Sequence, residues 1–199
     1  MILFNLCGGP GSGKTTLAYY LTYRFKKEGF RTEFVGEAAR EEHIYDSVPG
    51  QIAPPLLDNQ VLLLGQQYER IIRLRRHGME VLISDSPLIQ GLMYCEGQFY
   101  YNPLFDLARV LEKDFKTVNV FVQRKRGCYD AESRNQGTEE EAAAFDDKVK
   151  LLFGTFWKTT FWGYEEHLAV DAIKLVKQWQ MDANSNLAVP TQDLTSSNP

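Results

Sequence analysis

The chain is poor in cysteine and histidine and has no long apolar run, and each shortage removes a class of function. Its three cysteines, Cys7, Cys95 and Cys128, are odd in number and widely spaced, with no C-x-x-C pair. That leaves no basis for a disulfide framework or a thiolate zinc site, and the expected setting is a reducing cytoplasm. The three histidines, His43, His77 and His167, share no metal-ligand spacing. No stretch reaches the roughly 18 apolar residues that would read as a membrane span, and Met1 to Cys7 is too short for the apolar part of a signal peptide. No membrane partner is expected. A net charge of −4 speaks against a bulk electrostatic footprint for nucleic acid and leaves only a local basic cleft open. What remains is a 199-residue chain, 44% hydrophobic, long enough for one sizeable core.

Residues 8 to 15 read Gly8-Gly9-Pro10-Gly11-Ser12-Gly13-Lys14-Thr15, a complete G-x-x-x-x-G-K-[ST] phosphate loop. It follows the apolar run Ile2 to Cys7 directly and leads into an amphipathic segment through Thr16, the context that gives this motif its meaning. Glycines there turn successive backbone N–H groups inward around a β-phosphate. Lys14 spans the β- and γ-phosphates, the Thr15 hydroxyl can ligate Mg²⁺, and the following helix contributes the positive end of its dipole. These spacings predict a nucleoside triphosphate site that takes Mg²⁺ at Thr15.

Period-two and period-3.6 patterns alternate along the chain, the mark of an α/β fold on a parallel sheet. Strands are expected at Ile2 to Cys7, Thr32 to Val35, Met79 to Ser84, Val118 to Gln123 and Phe161 to Tyr164. Helices are expected from about Thr15 to Lys27, Glu37 to Tyr45, Leu56 to His77, in pieces between Pro87 and Phe115, after a Thr138/Glu141 capping box, and from Leu168 to Trp179. Residues 1–183 read as one domain, with a lid at about 124–137. The polar, aperiodic stretch 184–199 reads as a flexible tail.

Two carboxylates stand where chemistry is expected. Asp85 ends the apolar third strand, the position of an acid that holds the Mg²⁺ water shell beside Thr15. Glu37 follows strand two at the carboxyl edge of the sheet, where a kinase places a base for the acceptor hydroxyl. Arg124, Lys125, Arg126 and Arg134 crowd one glycine-punctuated segment between a strand and a capped helix. Such a segment can close over the triphosphate and set arginines against the transferring phosphoryl group. Of Arg70, Arg73, Arg75 and Arg76 on the long helix, most are expected at the surface, with one reaching substrate. Gln60, Gln66 and Gln67 interrupt that helix; one of them could pair with a base edge. Tyr94, Phe99, Tyr100 and Tyr101 could line a planar substrate's pocket, although core packing is the default for such a group.

Taken together, the phosphate loop, Gly36-Glu37-Ala38-Ala39-Arg40, Asp58 to Gln67, Ser84-Asp85-Ser86-Pro87, and Arg134-Asn135-Gln136 leading into Glu139 to Asp146 resemble the phosphate-loop nucleoside and nucleotide kinases. The likeness is greatest to the small phage and bacterial kinase-like domains related to the ribosylnicotinamide kinase part of a bacterial NAD-metabolism regulator, and it spans roughly residues 1 to 180. The resemblance implies a three-layer fold with a five-stranded parallel sheet, the Asp85 strand beside the phosphate-loop strand, and a lid bearing Arg124, Arg126 and Arg134. It also implies transfer of the γ-phosphoryl group of ATP to a nucleoside- or nucleotide-like small molecule. Ser86 and Pro87 stand where thymidylate and deoxynucleoside kinases of this fold place an arginine, which weighs against a nucleoside monophosphate acceptor. Two other readings stand beside this one: a phage-type kinase acting on hydroxymethylated pyrimidine in DNA, and a phosphate-loop ATPase or switch with no small-molecule acceptor.

Overall fold

The computed structural model describes residues 1–39, 60–94, 97, 101–124, 138–156, 159–162 and 167–187. Strands and helices alternate: β1 (Ile2–Cys7), α1 (Lys14–Lys27), β2 (Thr32–Val35), α2 (Gln60–Arg76), β3 (Val81–Ser84), a 3₁₀ helix (Gln90–Tyr94), α3 (Tyr101–Glu112), β4 (Lys116–Val122), α4 (Glu139–Phe156) and β5 (Thr159–Trp162). The strands pair in the order β2-β3-β1-β4-β5, every pair parallel. Residues Met1–Glu165 form one compact unit, and a second begins at Glu166 and carries α5 (His167–Leu187).

β1 is buried along its whole length, as the central strand of a sheet covered on both faces must be. Alternation along the strand divides its side chains between the two faces. Phe4 turns to α1, where its ring meets Phe25 at 5.4 Å. Leu3 and Cys7 belong to the core on the other face, with Ile71 of α2, Leu104 and Ala108 of α3, and Val149 and Phe153 of α4. Helix, sheet and helix therefore form three layers. The one polar side chain of β1, Asn5, sits opposite Asn119 of β4 and donates to its Oδ1 at 2.9 Å. A slip of either strand would strand two buried amides, so this pair pins the register.

Register also delivers the site. Asn5 of β1 pairs with Ser84, and Ser84 pairs with Val35 of β2. Gly8, Asp85 and Gly36-Glu37 therefore leave three adjacent strands at one carboxyl edge, where ligands of open parallel sheets bind.

The expected elements differ from the observed ones chiefly at their ends. β5 (Thr159–Trp162) begins at Thr159 rather than at Phe161, because its pairing with β4 begins at Asn119↔Thr159, and the expected residues 163–164 lie outside the described residues. The last helix continues beyond Trp179 to Leu187, with Gln178 donating to Asp182 at 2.8 Å one turn on, a polar contact that extends a helix after its apolar stripe has ended. Most of the expected Glu37 to Tyr45 helix, the first turn of the expected Leu56 to His77 helix, the segment 125–137 with Arg126 and Arg134, and residues 188–199 lie outside the described residues.

Candidate active site

The phosphate loop joins β1 to α1, and α1 starts without a side-chain cap: Gly13, at φ 95°, precedes Lys14, and the first turn closes through Leu17 N–H to Gly13 C=O at 3.0 Å. A helix start of this kind directs backbone N–H groups and the positive end of the helix dipole toward an anion. Lys14 Nζ donates to Gly9 C=O at 2.8 Å, which holds the ammonium over the loop.

Two buried side chains grip the loop from outside. Gln90, at the start of the 3₁₀ helix, accepts from Gly8 N–H at 3.1 Å and donates to Gly8 C=O at 2.9 Å. Asp146 of α4 accepts from Gly9 N–H and binds Arg124 Nε at 2.9 Å. Arg124 also donates from Nη2 to Pro10 C=O at 2.7 Å and, more weakly, to Ala142 C=O at 3.4 Å. Glycine is required at both loop positions. Gly8 adopts φ 143°, and a Cβ on Gly9 would collide with the Asp146 carboxylate.

Asp85 is buried, and its N–H donates to Val35 C=O at 3.3 Å, which ties the ends of β2 and β3. Its Oδ2 accepts from the Thr15 hydroxyl at 2.9 Å. A carboxylate and a hydroxyl in contact beside the phosphate loop are a hard-oxygen donor set, so the residues present fit Mg²⁺. Beside them a cleft is lined by Glu37, Ala38, Leu63, Gln67, Ser86 and Tyr94, among others.

Gln67 organises this cleft. It is buried, accepts from Ala38 N–H at 2.9 Å, and donates toward Ser84 Oγ and Ser86 C=O, each at 3.3 Å. Its amide thus joins the Glu37 segment to the Asp85-Ser86 turn. Both ends of that amide have protein partners. Gln60 is buried in the cleft as well. Among the four arginines of α2, Arg70 reaches the site's edge, donating to Gly36 C=O at 3.4 Å, while Arg73 pairs with Glu69 on the surface and Arg75 lies over the Phe115 ring. Tyr94 lines the cleft and stacks on Phe145 at 5.1 Å, and Tyr101 packs against Phe105. Phe99 and Tyr100 lie outside the described residues.

Cys7, the last residue of β1, is fully buried. Burial pushes its thiol well above the usual range, Glu112 adds to the rise, and Lys14 opposes it. The roles of Gln90 and Asp146 are the part that sequence reasoning missed. A single glutamine four residues past Ser86 carries no signal, and Asp146 reads as one of many acids on an amphipathic helix. Among the described residues no cluster of three or more His, Cys, Asp or Glu forms a metal site, and no helix is long and apolar enough to cross a membrane.

A phosphate loop on the central strand of a parallel sheet, with an acid on the neighbouring strand beside the loop threonine, defines a phosphate-loop NTPase-type protein. Residues 3–156 match the family model described as an AAA domain, and the chain belongs to that family. Two solved structures of NadR protein share its fold. The one in complex with NR is 18% identical over 98% of this chain and 54% of its own, with a TM-score of 0.64. The other, in complex with NAD and AMP-PNP, is 16% identical over 98% of this chain and 51% of its own, with a TM-score of 0.56. The chain thus spans about half the length of the solved structures it matches. No curated protein matches it.

Proposed function

We propose that this protein is an ATP- and Mg²⁺-dependent phosphotransferase that moves the γ-phosphoryl group to a hydroxyl of a nucleoside- or nucleotide-like small molecule. The observation that carries this reading is the cleft containing Glu37 and Ser86, which opens at the same sheet edge as the phosphate loop and the Thr15–Asp85 pair. The solved NadR structures hold NR in one case and NAD with AMP-PNP in the other, in keeping with a nucleoside-like acceptor and an ATP-type donor.

On this reading the loop N–H groups from Gly11 to Thr16 and the start of α1 bind the β-phosphate, and Lys14 follows charge across the β- and γ-phosphates. Thr15 and Asp85 would hold Mg²⁺, which supplies charge neutralisation on the phosphate oxygens. The acceptor oxygen forms its bond to the γ-phosphorus as the bond from that phosphorus to the β–γ bridging oxygen breaks, and ADP leaves. Glu37 takes the hydroxyl proton. Arg126 and Arg134 are assigned to the developing charge on the transferring group. Arg124 itself is bonded to Asp146 and to Pro10 C=O of the loop.

Incubation with γ-labelled ATP and a panel of nucleosides, nucleotides, nicotinamide riboside and hydroxymethylated DNA tests this reading, with Lys14→Ala as the inactive control. Label appearing on a nucleoside or nucleotide supports it. Label on the DNA alone would move the acceptor to a polymer, and label released only as inorganic phosphate would favour the ATPase or switch reading.

A further inference from the structure

Gly8, the first residue of the phosphate loop, follows Cys7, the last residue of β1 in register with β4, and turns at φ 143°. Its N–H and C=O both still need partners, since a buried unpaired backbone group costs as much as a lost hydrogen bond. Gln90 supplies both from one amide, accepting at 3.1 Å and donating at 2.9 Å, and it is itself only 4% exposed. One side chain thus stands in for a strand at the point where the sheet ends and the loop begins.

The segment that carries Gln90 is well placed for more than local repair. It starts at Asp85 and passes through Leu88 and Ile89, both buried. A turn from Gln90 N–H to Pro87 C=O at 3.1 Å braces it, and it continues into Gly91, Leu92 and Tyr94 of the cleft wall. A rigid connection therefore runs from the acid beside Thr15, through the Gln90 amide, to the entrance of the phosphate loop.

We propose that Gln90 is a positioning residue for the phosphate loop, whose paired hydrogen bonds to Gly8 set the path of the loop around a bound diphosphate. Both ends of its amide are bonded to Gly8, and it acts through Gly8. Because the loop's N–H groups bind phosphate only when they converge, loosening Gly8 weakens the grip on a nucleotide even where the rest of the chain stays folded. The role holds for any phosphate-loop nucleotide site and does not depend on the identity of an acceptor.

ADP with Mg²⁺ is the probe, titrated by calorimetry against wild type, Gln90→Met, Gln90→Asn and the core variant Ile71→Val. Gln90→Met keeps the shape and removes the amide; Gln90→Asn keeps the amide and shortens its reach. Both are expected to raise the ADP Kd about tenfold or more, a loss of about 1.4 kcal/mol. Ile71→Val lowers thermal stability through the core and leaves the Kd unchanged. Met and Asn variants that bind ADP within about twofold of wild type would overturn the role of Gln90 while leaving the nucleotide site intact, whereas wild type that binds no ADP would remove the site itself. Should the Gln90 variants fail to fold, hydrogen exchange of wild type without nucleotide decides the matter. Slow exchange of the Gly8 amide is expected, and exchange at the rate of an open loop would overturn the proposal.

Discussion

Asp146 and Arg124 meet at 2.9 Å with each side chain only 7% exposed, and together they hold the backbone of the phosphate loop at Gly9 and Pro10. A guanidinium expected over the triphosphate is in this structure fastened to the carboxylate beneath the loop. Breaking a buried pair leaves one charge without compensation. Asp146→Ala is therefore expected to lower stability by about 3–5 kcal/mol, and Asp146→Asn, which keeps an acceptor for Gly9 N–H, by less. Urea unfolding of both variants checks the order; equal stability of wild type and Asp146→Ala would deny the pair its structural role.

Asp85→Asn preserves shape and removes charge next to the Thr15 hydroxyl. The expected outcome is a folded protein that needs a higher Mg²⁺ concentration for half-maximal rate. Titrating Mg²⁺ against rate provides the measurement. An unchanged Mg²⁺ dependence would confine Asp85 to tying β2 to β3 through Val35.

Glu37→Gln removes the proposed base and keeps the side chain's length, with Ala38 still held by Gln67. The transfer rate at saturating acceptor is expected to fall about 10²-fold or more, with ATP affinity little changed, because a base acts on the acceptor hydroxyl and not on the nucleotide. A rate equal to wild type would take Glu37 out of the mechanism.

Cys7 gives a pH signature. Its folded thiol is raised by burial, so the native state keeps its proton after the unfolded chain has lost it near pH 8.5. The unfolded state then binds fewer protons, and the stability contribution present below about pH 8.5 is lost as pH rises. The stability gap between wild type and Cys7→Ala should narrow by about 1.4 kcal/mol per pH unit above that point until the folded thiol titrates. Urea melts from pH 7 to 10 measure it; a constant gap would contradict the shift.

Much of this architecture was legible in the sequence, because short-range pattern determines it. The G-x-x-x-x-G-K-T motif between an apolar strand and a helix identified the loop, and the apolar runs at Ile2 to Cys7 and Met79 to Ser84 marked the strands that became β1 and β3. The capping box at Thr138 and Glu141 forms as its spacing requires, with Glu141 N–H donating to Thr138 Oγ1 at 3.1 Å and Thr138 N–H to Glu141 at 3.3 Å. Asp85 was legible because a single acid after an apolar strand stands out. What only the tertiary structure decided are contacts between residues distant in the chain and chosen by packing. Gln90 reaches Gly8 across 82 positions and Asp146 reaches Gly9 across 137. Gln67 spends its amide on Ala38, Ser84 and Ser86 instead of an external base edge, because burial obliges a polar group to find partners within the fold. A local motif can say that a phosphate loop exists. Which side chains hold it in shape depends on register and on the helices laid over the sheet, and those are properties of the whole fold.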